Sequence, residues 1–360
     1  MAKRKRSRVG KTARRGAVRG RVRAHDDRVE DEPRREKVLR GRDNVGAVPD
    51  EASRSELAAD VRSGRVVSIR GREATVEPDA GGEPILAILR RSTRVPHPGS
   101  SPVVVGDRVR YLADGPPPLV LTEIEPRRTR LVRSRRGAEE HVLCANVDLG
   151  VIVASAAEPP FKPRLVDRVL LSVRLGGLDP VLALNKIDLV EPREIETLLD
   201  PYRRLEFPCL PVSADTGEGI EALVEVLRDK TSVFSGQSGV GKTSLLNRLG
   251  PGLELATQDV YGRIGKGRHT TSASTLYRFP FGGAVVDTPG IRSFSLSGPT
   301  EDALRTFFPE VFEAAESCRF SDCRHRGDDG CAVPAAIAAG RVSPDRLDSF
   351  LTLMDEVRGG

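Results

Sequence analysis

The chain has 360 residues, of which 38% are hydrophobic and 30% charged, and its formal net charge is +6. This length predicts two or three domains with hydrophobic cores of their own. The longest apolar stretch, residues 149–157, is too short and too interrupted to cross a bilayer, and no apolar segment follows the basic N-terminus as in a secretory signal. The five cysteines form no dense framework. These features argue against a membrane protein and a disulfide-rich secreted protein, and we expect a cytoplasmic one.

Positive charge is concentrated at the N-terminus. Residues 1–25 contain eleven Lys or Arg, no acidic residue and almost no large apolar side chain. We therefore predict that residues 1–58 are a basic, disordered extension. Such an arm usually binds a polyanion, most often nucleic acid, although a solubilising tail has the same composition. A second basic run, residues 126–136, has six arginines and no acidic residue, and we interpret it as a linker that lies against RNA.

Residues 59–126 are predicted to form a small β-barrel. Five short strands separated by turns, two of them at Arg70–Gly71 and Gly106–Asp107, fit an oligonucleotide-binding (OB) fold. The only aromatic residue of this region is Tyr111, so the sequence does not support recognition of nucleic acid by base stacking. A barrel that binds nothing is the alternative.

From residue 147 the pattern alternates between apolar strands and amphipathic helices. This alternation predicts a doubly wound α/β domain, which we place at residues 127–300. In such a domain the ligand binds at the carboxyl ends of the strands.

A phosphate-binding loop is predicted where the segment GQSGVGKTS lies between a strand and a helix. Its glycines let backbone N–H groups surround phosphate oxygens, Lys242 supplies charge for the β- and γ-phosphates, and the Thr243 hydroxyl suits Mg²⁺. The predicted nucleotide-binding residues of this loop are Gly236, Gln237, Ser238, Gly239, Val240, Gly241, Lys242, Thr243 and Ser244.

A guanine-binding motif, NKID, ends another predicted strand. The Asp188 carboxylate can accept hydrogen bonds from the N1–H and the amino group of guanine, a donor pair that adenine lacks. Asn185 can bond the opposite edge, and the stem of Lys186 can cover the ring. A serine and an alanine after the next strand can support the base through backbone N–H groups. The predicted base-binding residues are Asn185, Lys186, Ile187, Asp188, Ser213 and Ala214.

Two later segments, GRHTTS and DTPG, carry residues suited to magnesium and the γ-phosphate. Asp287 can hold a water on Mg²⁺, and the Gly290 N–H can face the γ-phosphate. Thr270 or Thr271 can contact Mg²⁺ directly, and spacing does not choose between them. The predicted magnesium ligands are Thr243, Thr270 and Thr271.

The residue that orients the attacking water is not the usual one. Many GTPases have a glutamine just after the Asp-x-x-Gly segment, but here Ile291 stands there and can neither donate nor accept a hydrogen bond. His269 is the best candidate within the chain, with a solvated loop histidine as the alternative. The predicted catalytic residues are His269, Thr271, Asp287 and Gly290.

The order of these motifs indicates a circular permutation. The base motif precedes the phosphate loop, whereas the usual order begins with that loop. Domain termini tend to lie near each other at the surface, so they can be joined and the chain reopened elsewhere without disturbing the site.

A metal centre is predicted in residues 301–360, where three cysteines and a histidine fall within 14 residues. Three thiolates and an imidazole are a closed tetrahedral set, as expected of structural zinc. Cys323 and His325 are two residues apart, so they cannot share a helix face and must lie on a turn. The predicted zinc ligands are Cys318, Cys323, His325 and Cys331, with free thiols on a loop as the alternative.

Over about residues 60–360 the chain resembles the circularly permuted ribosome small-subunit-dependent GTPase A family, because GQSGVGKT, GRHTT, DTPG and the Cys/His spacing occur in the family's order. The resemblance implies an α/β fold: a circularly permuted P-loop GTPase domain with an N-terminal OB-like barrel and a C-terminal helical zinc-binding module. It implies GTP hydrolysis with Mg²⁺, stimulated by the small ribosomal subunit, late in that subunit's maturation. The expected partners are that subunit, its rRNA and GTP or GDP, and we expect a monomer that binds no membrane.

Two other functions stay open on the sequence. One is an RNA-binding scaffold in which GTP is only a structural ligand, although an intact phosphate-loop lysine and DTPG segment argue against it. The other is a permuted GTPase that acts on the large subunit. The barrel before the GTPase domain and the metal module after it favour the small subunit by family analogy.

Overall fold

The computed structural model describes residues 60–95, 103–133, 141–251, 274–287 and 299–358. The predicted basic extension therefore lies outside the described residues. So do four residues predicted to act in hydrolysis or to bind magnesium, namely His269, Thr270, Thr271 and Gly290.

The described residues contain thirteen strands: β1 (Val61–Arg70), β2 (Glu73–Pro78), β3 (Ile85–Arg94), β4 (Arg108–Leu112), β5 (Leu119–Ile124), β6 (Arg130–Arg133), β7 (His141–Ala145), β8 (Leu149–Ser155), β9 (Asp179–Asn185), β10 (Cys209–Pro211), β11 (Thr231–Ser235), β12 (Ser274–Arg278) and β13 (Ala284–Asp287). They also contain eight α-helices: α1 (Pro163–Leu175), α2 (Pro192–Arg203), α3 (Ile220–Leu227), α4 (Lys242–Leu249), α5 (Glu301–Phe307), α6 (Pro309–Ala315), α7 (Val333–Ala338) and α8 (Pro344–Arg358). Among these helices, none is both long and apolar enough to cross a membrane.

The first five strands close into a barrel in the order β1-β2-β3-β5-β4, with β4 pairing back onto β1. Alternate side chains of the strands point inward, and those of Val66, Val76 and Leu121 are fully or almost fully buried. Tyr111 is 3% exposed and packs in the same core. It is therefore not available to stack on a base, in agreement with the sequence analysis.

Five parallel strands form the centre of the α/β domain in the order β10-β9-β8-β11-β13. All residues of β8 and β11 are buried, as expected of strands covered by helices on both faces. Helices α1 and α2 contribute to the core on one face, which the C-terminal helices share, and α3 and α4 contribute to the core on the other. The carboxyl ends of the five strands thus meet at one edge.

The barrel continues the sheet of the α/β domain. Strand β12 pairs antiparallel with β13 on one side and with barrel strand β1 on the other. At this junction Ser68 lies opposite Thr275, and their hydroxyl oxygens are 3.3 Å apart. An ion pair between Arg278 and Glu77, with atoms 2.5 Å apart, adds a contact between β12 and β2. The barrel is therefore joined to the α/β domain by backbone pairing as well as through the chain.

The basic run at residues 126–136 is partly built into the fold, which corrects the interpretation of a linker lying against RNA. Its Arg130–Arg133 segment is strand β6 and pairs with β7. The Arg127 guanidinium donates hydrogen bonds of 2.8 and 2.9 Å to the carboxylate of Asp107, and both side chains are at most 3% exposed. An arginine this deeply buried requires a paired acid, so Arg127 serves the fold. Residues 134–136 of the run lie outside the described residues.

The C-terminal helices are joined to the α/β domain by a buried arginine. Arg346 on α8 is 1% exposed and donates hydrogen bonds to Asp167 on α1 at 2.6 Å and to Glu310 on α6 at 2.8 Å. It also donates to the Phe307 carbonyl at 2.7 Å, and its guanidinium lies 4.1 Å from the centre of the Phe308 ring. Burial raises the pKa of Asp167 to about 6. This cluster fixes four helices, α1, α5, α6 and α8, to one another.

Candidate nucleotide site and metal centre

The predicted phosphate and base motifs meet at the carboxyl edge of the parallel sheet. The phosphate loop follows β11 and leads into α4, NKID begins at the last residue of β9, and Ser213 follows β10. Although the permuted sequence places NKID before the phosphate loop, only β8 separates β9 from β11 in the sheet. The strand order therefore brings NKID and the phosphate loop together, although their order along the chain is reversed.

Two glycines of the phosphate loop are required by close backbone or side-chain neighbours. Gly236 has a φ of +151°, and a Cβ there would lie 2.1 Å from the carbonyl oxygen of Val153. Gly241 has a φ of +92°, and a Cβ there would lie 2.3 Å from Nδ2 of Asn185. The loop can pass this close to β8 and NKID only because these positions carry no side chain.

Positive potential is concentrated where the loop enters α4. Gly241 caps the helix, and Lys242 is its first residue. The Lys242 ammonium donates hydrogen bonds of 2.8 Å to the carbonyl oxygens of Gly236 and Gln237, which holds it over the loop. The helix N-terminus adds its own partial positive charge, and Thr243 lies in the first turn. The arrangement suits a phosphate chain with an oxygen-bound cation.

Asn185 joins the base motif to the phosphate loop, a role that the sequence did not predict. It is 1% exposed, and its Nδ2 donates to the carbonyl of Val240 at 2.8 Å. Its Oδ1 accepts a hydrogen bond from the N–H of Ala214 at 3.0 Å. One buried amide thus holds together the three loops in which nucleotide contacts were predicted.

Asp188 is exposed at the same edge, where a ligand can reach it. The Ser213 hydroxyl donates to its Oδ1 at 2.5 Å and so orients the carboxylate. Between Asn185 and Asp188, the side chain of Ile187 is buried in the core, so only its backbone is placed to contact a ligand. The Lys186 backbone is left-handed, with φ +64°.

A fourth segment at this edge, residues 156–160, follows β8 and was not predicted from the sequence. The Lys186 ammonium donates a hydrogen bond to the carbonyl of Glu158. The Ser155 hydroxyl donates to the same carbonyl at 3.1 Å. A Cβ on Gly239 would lie 3.5 Å from Cδ of Pro159, so this segment also reaches the tip of the phosphate loop. The sequence signal that could have identified this segment is its position directly after a parallel strand, where ligands bind in such domains.

Asp287 is the last residue of β13, the strand next to β11 in the sheet. It lies opposite Thr275 of β12 in the strand register. Of the four predicted catalytic residues, Asp287 is the one within the described residues, and the structure places it one strand away from the phosphate loop.

The four predicted zinc ligands lie together between α6 and α7. Their ligand atoms all fall within 4.8 Å of one another. Nδ1 of His325 is 3.7 Å from Sγ of Cys318 and 3.6 Å from Sγ of Cys331. In a tetrahedral zinc site, sulfur and nitrogen ligand atoms are about 3.6 Å apart. Burial lowers the pKa of His325, which favours the neutral imidazole that binds a metal. The residues therefore fit the metal.

Asp328, which the sequence places in the loop that brings Cys331 back, also supports the metal cluster through hydrogen bonds that the sequence did not predict. Its Oδ2 accepts hydrogen bonds from the backbone N–H groups of Arg324 at 3.1 Å and Arg326 at 3.0 Å. These hydrogen bonds lower the pKa of Asp328, and the bond from Arg326 has the largest effect. The same carboxylate oxygen is 3.7 Å from Sγ of Cys323. The aspartate thus shapes the turn on which two of the ligands lie.

Comparison with known proteins decides the family. The model of the family described as RsgA GTPase matches residues 124–297. The small ribosomal subunit biogenesis GTPase RsgA of Chlorobaculum tepidum is 43% identical over 273 residues, which cover 72% of this chain and 86% of that relative. The chain belongs to the RsgA GTPase family. The RsgA of Chlorobaculum parvum is 41% identical and is matched over 98% of its length and 82% of this chain.

Solved structures agree with membership of the RsgA family. YjeQ from Thermotoga maritima has a TM-score of 0.64 and 32% identity, covering 83% of this chain and 99% of its own. YloQ, described as a circularly permuted GTPase, has a TM-score of 0.60 and 27% identity, covering 83% of this chain and 96% of its own. The predicted family, the permuted α/β fold with its barrel and the enzyme class, a GTP hydrolase, are confirmed.

Proposed function

We propose that the chain binds the small ribosomal subunit, hydrolyses GTP to GDP when that subunit stimulates it, and acts late in the maturation of the subunit. The RsgA relatives are named for biogenesis of the small ribosomal subunit, and the similarity to two of them covers 72% and 82% of this chain. Under this proposal the protein works as a cytoplasmic monomer whose other partner is rRNA.

The single observation that carries the nucleotide assignment is the buried amide of Asn185. It is bonded both to the phosphate loop at Val240 and to the loop after β10 at Ala214. A scaffold that kept GTP only as a structural ligand would need the same pocket, but it would not need Asp287 at the end of the neighbouring strand. The placement of Asp287 therefore favours hydrolysis.

The proposed contacts follow from this frame. Asp188, held by Ser213, accepts the two guanine donors, and the stem of Lys186 covers the ring. Backbone N–H groups of residues 236–244 and the Lys242 ammonium bind the phosphates. Magnesium bound with GTP would be held by Thr243 together with Thr270 or Thr271, and it would neutralise negative charge on the phosphates. Asp287 would orient a water bound to that ion.

Hydrolysis requires a group that positions the attacking water. Ile291 stands where a glutamine often serves, so the isolated chain should turn over slowly. We assign this role to His269, supported by its place beside the two threonines in the sequence. The Gly290 N–H completes the proposed catalytic set next to the γ-phosphate.

The metal module takes part as a folded unit under this proposal. Zn²⁺ fits the four atoms of Cys318, Cys323, His325 and Cys331, and bound there it would supply folding stability to a loop with few buried apolar residues of its own.

The test is a turnover assay with purified small and large ribosomal subunits added separately. We expect slow hydrolysis alone, strong stimulation by small subunits and none by large ones. Stimulation by large subunits would support the alternative assignment. GTP binding without turnover under any condition would support the scaffold. Co-sedimentation with each subunit, in GDP and in a non-hydrolysable GTP analogue, shows whether a missing rate reflects missing binding.

A further inference from the structure

Residues 156–160 connect the base motif to the tip of the phosphate loop. On one side the carbonyl of Glu158 accepts a hydrogen bond from the Lys186 ammonium. On the other, the ring of Pro159 lies against Gly239, where an added Cβ would be 3.5 Å from Pro159 Cδ. Both partners belong to motifs predicted to contact the nucleotide, whereas the connecting segment belongs to neither.

The segment is anchored from below by a buried serine. Ser155 is the last residue of β8 and is 1% exposed. Its hydroxyl donates to the Glu158 carbonyl at 3.1 Å and accepts a hydrogen bond from the N–H of Ala157 at 3.3 Å. The Glu158 carbonyl oxygen therefore accepts hydrogen bonds from both the Ser155 hydroxyl and the Lys186 ammonium, so the position of one donor depends on the other.

We propose that Ser155 is a positioning residue for guanine nucleotide binding, acting through the Glu158 carbonyl on Lys186. This inference rests on the proposed function, because it assumes that the Lys186 stem covers the base. A free lysine side chain loses rotamer entropy when it is ordered. Because Lys186 is held at both its backbone and its ammonium before a ligand arrives, less of that entropy remains to be lost on binding. Pre-organisation of this kind slows dissociation.

The chain offers a matched control for the serine. Ser232 on β11 is fully buried, and its hydroxyl donates to the carbonyl of Ala284 at 3.0 Å. It lies toward the amino end of the parallel strand, away from the edge where the motifs meet. Ser232→Ala and Ser155→Ala thus remove the same kind of hydrogen bond from the same sheet, but only one of them supports Lys186.

The experiment measures dissociation of fluorescent mant-GDP from the full-length protein by stopped flow. Ser155→Ala should raise the dissociation rate about three- to tenfold, whereas Ser232→Ala should leave it within about twofold of wild type. Lys186→Met should also raise the rate. Because both substitutions disable the same contact, adding Ser155→Ala to Lys186→Met should change the rate less than about twofold.

The outcomes distinguish failure of the Ser155 inference from failure of the proposed function. If the double variant dissociates faster by the product of the two single effects, Ser155 acts independently of Lys186 and the inference is wrong. An equal effect of Ser232→Ala would attribute the change to general loosening of the sheet and would also overturn it. Wild-type protein that does not bind mant-GDP at all would instead overturn the proposed function.

Discussion

The amide of Asn185 determines which residue can occupy position 241. A Cβ at Gly241 would lie 2.3 Å from Asn185 Nδ2, and the backbone there has a φ of +92°. Any other residue would be strained and would displace the amide from Val240 and Ala214. The glycine that the phosphate pattern requires for its ligand is therefore also required by the base motif, so the two halves of the site constrain each other at one atom pair.

Asp188→Asn tests base recognition. Asparagine keeps one oxygen acceptor, but an NH2 donor replaces the other oxygen. Guanine therefore loses one of its two hydrogen bonds to a charged group, each worth about 1.5–3 kcal/mol. We expect GTP affinity, measured by isothermal titration, to fall by at least about tenfold. Xanthosine triphosphate, which has a carbonyl in place of the amino group, should instead bind more tightly to the variant than to wild type, because the new Nδ2 can donate to that carbonyl. Asp215→Asn, a change at an exposed neighbouring residue, is the control and should bind GTP normally. If Asp188→Asn binds GTP with unchanged affinity, Asp188 does not belong to the base site.

His269→Ala tests how hydrolysis is switched on. If the imidazole positions the water, removing it should leave nucleotide affinity and subunit binding intact while most of the stimulated rate is lost. A positioned catalytic side chain contributes about 10²–10⁴-fold, so the loss should be at least about a hundredfold. The measurement is GTP turnover with saturating small subunits. A variant stimulated to the wild-type level would point to a ribosomal group or the backbone as the element that holds the water.

Two elements of the C-terminal region are held in different ways. The loop between α6 and α7 is organised around the Cys/His cluster and Asp328, with few buried apolar residues of its own. Helix α8 instead packs on α1 through Arg346 and buried side chains such as Phe350 and Leu353. Loss of metal should therefore disorder the loop before it releases the helix.

Cys323→Ser tests the metal centre. Zinc binding to such sites supplies roughly 10–16 kcal/mol of apparent free energy, so one lost thiolate should release the metal and expose the backbone of the loop. We expect zinc near one equivalent in wild type and far less in the variant by elemental analysis, with faster amide exchange over residues 318–331. Cys209→Ser, outside the cluster, should retain its zinc. Wild-type protein without zinc near one equivalent would contradict the assignment.

The buried contact between α1 and α8 predicts a pH effect. The pKa of Asp167 is raised to about 6, whereas an aspartate in an unfolded chain titrates near 3.9. Between these values the folded state holds a proton that the unfolded state has released, so the stability from this group falls as pH rises through about 6. From pH 5 to pH 7, wild type should lose about 1 kcal/mol of unfolding free energy relative to Asp167→Asn in urea titrations. The exposed Asp345→Asn should show no such difference, and a parallel pH profile for Asp167→Asn would contradict the assignment.

At the scale of the whole molecule, one sheet runs from the nucleotide edge into the barrel. Strand β12 lies between β13, which ends at Asp287, and barrel strand β1. A partner bound to the barrel is thereby held at a fixed distance from the nucleotide site, because backbone pairing is stiffer than a flexible linker. Under the proposed function, this geometry would link binding of the ribosomal subunit at the barrel to the nucleotide site.

Deleting residues 1–55 tests the basic extension predicted from the sequence. The extension carries none of the predicted site residues, so intrinsic GTP hydrolysis should be unchanged. Affinity for small subunits should fall at low salt, and the salt dependence should become shallower because fewer phosphates are neutralised. Filter binding at several salt concentrations measures both quantities. Equal affinity of the two proteins at low salt would favour a solubilising tail.

The sequence by itself determined the local chemistry of this protein. A phosphate loop, NKID and a Cys/His cluster each place their functional groups within a few residues, so spacing alone indicates what they can bind. The strand and helix pattern, with the reordered motifs, was sufficient to predict the permuted α/β fold and the barrel before it. The arginines of residues 126–136 show the limit, because composition indicated an exposed basic linker while Arg127 is buried against Asp107.

Only the tertiary structure decided which distant residues complete the site. Ser155 and Glu158 support Lys186, Asn185 crosses to Val240, and Arg346 reaches Asp167, whose sequence number differs by 179. The pairing of Ser68 with Thr275 likewise joins strands 207 residues apart. Such contacts leave no periodic signal, because a single hydrogen bond or strand pair imposes no spacing on the residues between its partners. They depend on which strands lie side by side, and that order is set by packing of the whole sheet.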